Sequence, residues 1–262
     1  MRLTLDTITL GVPQVTAARD YYAELLAPAG GNGDTVELPS GRLAFRKIDA
    51  LAADLGTART GSGFRGYALG AIVPRPGEVD LLLQSAVRHG ATVVKPAKKQ
   101  LFGEFTAVFE APDGAVWKLA AASAKDAGPV SSTPEPTETA VYLGVASPTT
   151  TKSFYEALGM SVEHDYGNKF IDFTVPAGSC RLGLLPRKGL AKDVGVAERG
   201  EGFGALALTH TAASPEEVDA LLAAAAALGA RTVAGAAGAD RGDYAGYFTD
   251  PDGYHWRVVA SH

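Results

Sequence analysis

The stretch YFTDPDGYHWRVV, residues 247–259, decides how this chain is read. It nearly recurs as VFEAPDGAVWKLA, residues 108–120. In each copy Pro-Asp-Gly separates two apolar runs. Pro presets φ and Gly supplies a positive φ, so the three residues make a tight turn. Each copy is therefore predicted to be strand, turn, strand. In both, a cation follows the tryptophan: Lys118 after Trp117, and Arg257 after Trp256.

Outward from this hairpin the whole chain repeats, the first thing to seek in a sequence of this length. Asp113 and Asp252 lie 139 positions apart, as do Trp117 and Trp256, Gly63-Phe64 and Gly202-Phe203, and Arg42-Leu43 and Arg181-Leu182. Nearer the start the offset is 133, pairing Gly11 with Gly144 and Tyr22 with Tyr155. The slip falls between the first helix and RLAF, where a hairpin loop varies at little cost. Between the halves, SAKDAGPVSSTPEPT has the Pro, Ser, Thr and charge content of a linker. The expected division is residues 1–123, a linker over 124–137, and residues 138–262.

Each half has an internal rhythm. TITLGV alternates as a strand, and TAARDYYAELL places Ala18, Tyr21, Tyr22, Leu25 and Leu26 on one helical face. After further strands comes YALGAIV, then a helix with Val79, Leu82, Leu83 and Ala86 on one face and a stop at Gly90. In the second half Ser214-Pro215-Glu216-Glu217 has the form of a capping box with Pro at the first helical position, and Gly229 is the stop. Each half therefore reads β-α-β-β-β twice.

The composition narrows the function. The chain has 262 residues, 46% of them hydrophobic, enough to fill proper cores. Its formal charge of −5, with acids and bases mixed, gives no basic footprint for nucleic acid. The single cysteine, Cys180, excludes an intramolecular disulfide and a Cys-rich zinc site. It fits a reducing compartment, so a cytoplasmic location is expected. No sustained apolar stretch follows the charged start, so no export signal is read, and no run approaches membrane-spanning length.

At this point the sequence resembles the vicinal oxygen chelate superfamily, which includes glyoxalase I, extradiol dioxygenases and bleomycin-resistance proteins. The resemblance is carried by ITLGV…AARDYYAELL, VYLGV…TKSFYEALG, LPRKGLAKDVGV, SPEEVDALL…LGA and the final hairpin. It implies an α+β fold of two tandem glyoxalase-like domains, each of paired βαβββ units forming a cup-shaped sheet. The metal enzymes of that superfamily place His, Gln or Glu ligands on the first and last strands of the units. The matching positions here are Thr7 and Ala140 on the opening strands. Ala44 or Arg46, and Gly183 or Leu185, match the last strand of the first unit. Gly66 or Ala68, and Ala205 or Ala207, match the opening strand of the second unit. Lys118 and Arg257 stand at the last position. None is a carboxylate or imidazole, whereas a catalytic metal needs about three such ligands. The expectation is therefore no metal and no cofactor.

Other candidates have simpler readings. His210 is expected to be a satisfied, semi-buried histidine beside Leu206 and Leu208. His255 is expected to point away from Trp256 as packing or surface. The Pro-Asp-Gly turns lack the remaining ligands of a calcium loop. GSGFRG and RGEGFG precede strands rather than opening helices, which argues against phosphate cradling. The functional expectation rests on Lys118 and Arg257, facing the cups as partners for an anionic group, with Phe102, Phe105, Tyr244 and Tyr247 as aromatics near the cup mouths. The expected function is binding of a small molecule, an aromatic or anionic metabolite or an antibiotic, by a monomer (a pseudo-dimer) or a homodimer, without nucleic acid or membrane partners. The alternative is a glyoxalase-like lyase, isomerase or dioxygenase.

Overall fold

The structure, a computed structural model, describes residues 2–26, 33–58, 61–100, 104–123, 125, 131–233 and 244–260. The first unit is β1 (Thr7–Val12), α1 (Val15–Leu26), β2 (Thr35–Glu37) and β3 (Arg42–Lys47); α2 (Ile48–Asp54) and a short strand β4 (Gly61–Gly63) follow. The second is β5 (Tyr67–Val73), α3 (Pro76–Arg88), β6 (Thr92–Lys99), β7 (Phe105–Glu110) and β8 (Val116–Ala121). The third is β9 (Glu138–Val145), α4 (Pro148–Ala157), β10 (Val162–Asp165), β11 (Ile171–Phe173) and β12 (Arg181–Pro186); α5 (Arg187–Val194) and β13 (Gly200–Gly202) follow. The last is β14 (Leu206–Ala212), α6 (Pro215–Ala227), β15 (Arg231–Val233), β16 (Ala245–Thr249) and β17 (His255–Ala260).

The helices form where periodicity and caps require them. α1 buries Ala18, Tyr21, Tyr22, Leu25 and Leu26, and α3 buries Val79, Leu82, Leu83 and Ala86. At the start of α6 the Ser214 hydroxyl accepts from the Glu217 amide, satisfying one orphan donor of the first turn. No helix among the described residues is long and apolar enough to cross a membrane.

Apart from a two-stranded β4–β13 ribbon, the strands assemble into two curled sheets that do not follow the two halves of the sequence. The first runs β15-β16-β17-β14-β1-β3-β2, joining the first unit to the last through an antiparallel β1–β14 pair. The second runs β10-β11-β12-β9-β5-β8-β7-β6, joining the second unit to the third through β5–β9. Each half thus gives one unit to each cup, and the expectation that each half closes its own cup is corrected. Alternation marks which face of a strand is buried, but every central strand here offers the same kind of edge, so pattern alone leaves the partner open.

The repeated hairpin locks a helix to its sheet. Trp117 and Trp256 are fully buried on the helix-packed face. The Trp117 Nε1 donates to Tyr22 Oη of α1 at 3.1 Å, and Tyr22 donates to Asp113 in the turn at 3.1 Å. In the second half the Trp256 Nε1 donates to Tyr155 Oη of α4 at 3.2 Å, and Tyr155 donates to Asp250 at 2.5 Å. Gly114 and Gly253 adopt φ of 80° and 93°, which a side chain would resist. Burial pushes the Asp250 carboxyl up to about 7, against hydrogen bonds from Tyr155 and the Tyr254 and Asp252 amides.

Candidate functional site

The concave faces are built from every second residue of the central strands. α2 covers one end of the first cup, packing Leu51, Ala52 and Leu55 on Phe203, Ala205 and Ala207. α5 does the same in the second, with Leu190, Ala191 and Val194 on Phe64, Ala68 and Val108. What the helices leave uncovered is where the cups diverge.

In the first cup the ladder register sets Arg42 beside Thr7, Thr7 opposite Thr209, and Thr209 beside Arg257. Two guanidiniums therefore end a row whose middle is two hydroxyls. Above this row lies a cavity of about 290 Å³, whose walls include Thr9, Arg46, Leu51, Asp54 and Tyr247. Arg46 is held by Asp54 at the end of α2, its Nη2 donating to Oδ1 at 2.9 Å. Arg42 is held more loosely by Glu37, Nε to carboxylate at 2.9 Å, with both side chains about half exposed (53% and 43%), where an ion pair is worth little. Three arginines and the carboxylates Asp34 and Asp54 line the cavity.

In the second cup the same row reads Arg181, Ala140, Gly70, Lys118. Here both cations are engaged by the protein. The Lys118 Nζ donates to Asp193 of α5 at 2.8 Å. Arg181 reaches Glu138 at 2.7 Å, Glu163 at 2.8 Å and Asp172 at 2.9 Å. His164 joins this group through Asp172 at 2.9 Å. Glu163, His164 and Asp172 stand close enough together to hold a cation, but the Arg181 guanidinium already bridges the two carboxylates.

Among the aromatics singled out in the sequence, Tyr247 lines the first cavity. Phe105 and Tyr244 pack against the helix-side core instead, because they alternate in step with the buried Phe109 and Phe248. Tyr244 spends its hydroxyl on Asp219 of α6 at 2.8 Å. Phe102 lies outside the described residues. His210 is buried, its Nδ1 2.9 Å from Thr4 Oγ1. His255 points away from Trp256 and packs edge-on to Phe203. Burial, helped by Arg231, holds its pKa below the usual value.

Sequence reasoning missed Arg42, Thr209 and the cavity role of Arg46. Alternation in RLAFRK was the available signal: Arg42, Ala44 and Arg46 must share a face. The missing information was register, which brings Thr209 and Gly70 to the row rather than Ala205, Ala207, Gly66 or Ala68. The donor chemistry of the two rows does not suit a divalent metal. Guanidinium and ammonium groups have no lone pair to give, and hydroxyls, Ala and Gly supply no anionic or imidazole ligand.

A family model described as Glyoxalase/Bleomycin resistance protein/Dioxygenase superfamily matches residues 4–119 and 138–258. A comparison with curated proteins finds no match. Among solved structures, one described as a "putative dioxygenase" from Bacillus subtilis subsp. subtilis str. 168 superposes with a TM-score of 0.64 at 17% identity, covering 99% of this chain and 86% of that one. Glyoxalase I from Zea mays gives a TM-score of 0.61 at 17% identity, covering 98% of this chain and 92% of that one. At these identities the likeness shows the fold.

Proposed function

Because the chain belongs to the Glyoxalase/Bleomycin resistance protein/Dioxygenase superfamily, we propose that it uses the cup architecture for metal-free binding of one small anionic molecule, a metabolite or an antibiotic with a planar or aromatic body. The observation that carries this reading is the row Arg42, Thr7, Thr209, Arg257 at the floor of an open cavity. Arginine presents a planar fork that matches a carboxylate or phosphate with two parallel hydrogen bonds. The threonine hydroxyls between the forks donate to, or accept from, the remaining polar atoms of such a ligand. Tyr247 and Leu51 on the walls offer a ring face and an apolar side for its body. At about 290 Å³ the cavity lies just below the usual range for small-molecule sites, about 300–1,000 Å³, which suits a small ligand. Binding needs no group poised for proton transfer.

Native mass spectrometry of the protein as purified reports bound ligand, metal and subunit number together. The expected result is a retained small anion, one per chain, and no stoichiometric transition metal. Calorimetry with that anion on Arg257→Met then follows. Unchanged affinity, or a chain that loses and regains activity with a metal, sinks the reading in favour of a glyoxalase-like lyase, isomerase or dioxygenase.

A further inference from the structure

The repeat offers an internal control: each floor residue of one cup has a counterpart in the other. Thr9 corresponds to Tyr142, Ala44 to Gly183, and Thr209 to Gly70. The counterparts differ together. A Cβ placed on Gly183 would lie 2.7 Å from Tyr142 Cδ1, and one on Gly70 would lie 2.8 Å from Tyr142 Cε2. The Tyr142 ring therefore stretches over the floor from β12 to β5, one edge on each glycine. Real Cβ atoms do not approach a ring this closely, so an ordinary side chain at either glycine displaces it. In the first cup, Ala44 and Thr209 fill those two places and Thr9 leaves the space above them open.

The surroundings of Tyr142 are those of a bound aromatic ring. It packs against the apolar group of Phe64, Ala68 and Val108 under α5, and Phe170 stands 6.5 Å from it, ring centre to ring centre. Burial pushes the pKa of its phenol above the usual tyrosine value. The cations at the two ends of the row are held by protein carboxylates, so the charge an external anion would need is already used.

We infer that the second cup is a site for a neutral phenol-type ring which the chain fills with its own Tyr142, so that only the first cup is left for an outside molecule. The inference concerns the second cup and stands independently of which ligand the first cup takes.

Tyr142→Ala removes the ring and leaves its two glycines. The probe is 4-fluorophenol, close in size to the missing group. It is expected to raise the melting temperature of Tyr142→Ala by about 3 °C at a concentration near ten times its Kd. It is expected to give one slowly exchanging ¹⁹F resonance with that variant, and neither effect with the unaltered protein. Gly183→Ala added to Tyr142→Ala is expected to abolish the rescue. A second measurement needs no ligand and survives poor folding of Tyr142→Ala. Gly183→Ala alone is expected to lower the melting temperature by several degrees. In a Tyr142→Thr background, which recreates the Thr9–Ala44 pair of the first cup, most of that loss is expected to vanish. Equal cost of Gly183→Ala in both backgrounds, or an equal response of the unaltered protein and Tyr142→Ala to 4-fluorophenol, overturns the inference. A co-purified ligand absent from the first cup but with the Tyr142 results as expected refutes the anion reading alone.

Discussion

Asp54 at the end of α2 and Asp193 at the end of α5 are counterparts in the repeat, yet they hold different partners. In the first cup Asp54 pairs with Arg46. In the second, the counterpart of Arg46 is Leu185, and Asp193 reaches across to Lys118 instead. One substitution on β3 and β12 thus redirects the carboxylate that the covering helix brings into the cup. The lesson concerns charge placement. On the proposed function, the last row position serves as a ligand anchor in the first cup, while in the second it is the structural partner of Asp193. An unpaired charge in a partly dry pocket is costly, so the carboxylate goes to the cation that can reach it.

The comparison can be broken most severely at the last row position. Arg257→Met is expected to weaken the first cup's anionic ligand by about 2–5 kcal/mol, while Lys118→Met leaves that affinity unchanged. Titration calorimetry on the two variants reads this directly, and equal losses would mean the cups are employed alike. Next in size is Arg181→Met. It removes the guanidinium from Glu138, Glu163 and the nearly fully buried Asp172, which keeps only His164, and is expected to cost about 3 kcal/mol of folding stability. Arg42→Met, its counterpart, breaks only an exposed pair and should cost well under about 1 kcal/mol in the same urea unfolding experiment.

A smaller contrast lies behind the sheets. Tyr155→Phe leaves the Trp256 Nε1 without its acceptor and removes one of the three hydrogen bonds to the deeply buried Asp250, and is expected to cost about 2 kcal/mol. Tyr22→Phe should cost less, because Tyr22 meets Asp113 at longer distance and Asp113 is less deeply buried than Asp250. Arg46→Leu installs the second cup's residue in the first and frees Asp54 to compete for Arg257. A loss of about tenfold in anion affinity, near 1.4 kcal/mol, is expected by calorimetry.

The two halves also differ in their expected pH dependence. Asp250 has its folded pKa raised from 3.8 to about 7, so the folded chain holds this proton more tightly than the unfolded chain. Its contribution to stability is full below 3.8 and declines as pH rises towards 7. Asp250→Asn is expected to flatten that part of the melting-temperature profile. Asp113, in the other half, provides the same test with a less deeply buried carboxyl.

Much of this architecture is legible in one dimension because it is local. The 139-residue repeat, the buried faces of α1 and α3, the cap at Ser214 and the two Pro-Asp-Gly turns depend on residues a few positions apart, and periodicity and backbone sterics fix them. Alternation after Trp256 likewise places Arg257 opposite the helix-packed face. What the sequence left open depends on register and on partners far apart in the chain. Nothing local distinguishes β14 from β5 as the neighbour of β1, since either would cover the same apolar face. The convergence of Arg42 from β3 with Arg257 from β17, the capture of Lys118 by Asp193, and the ring of Tyr142 lying over Gly70 and Gly183 exist only once that pairing is made. The sequence by itself determined the units and the residues each presents to its concave face. Tertiary structure decided which units share a cup, and with that which cations border a cavity and where the carboxylates of α2 and α5 are spent.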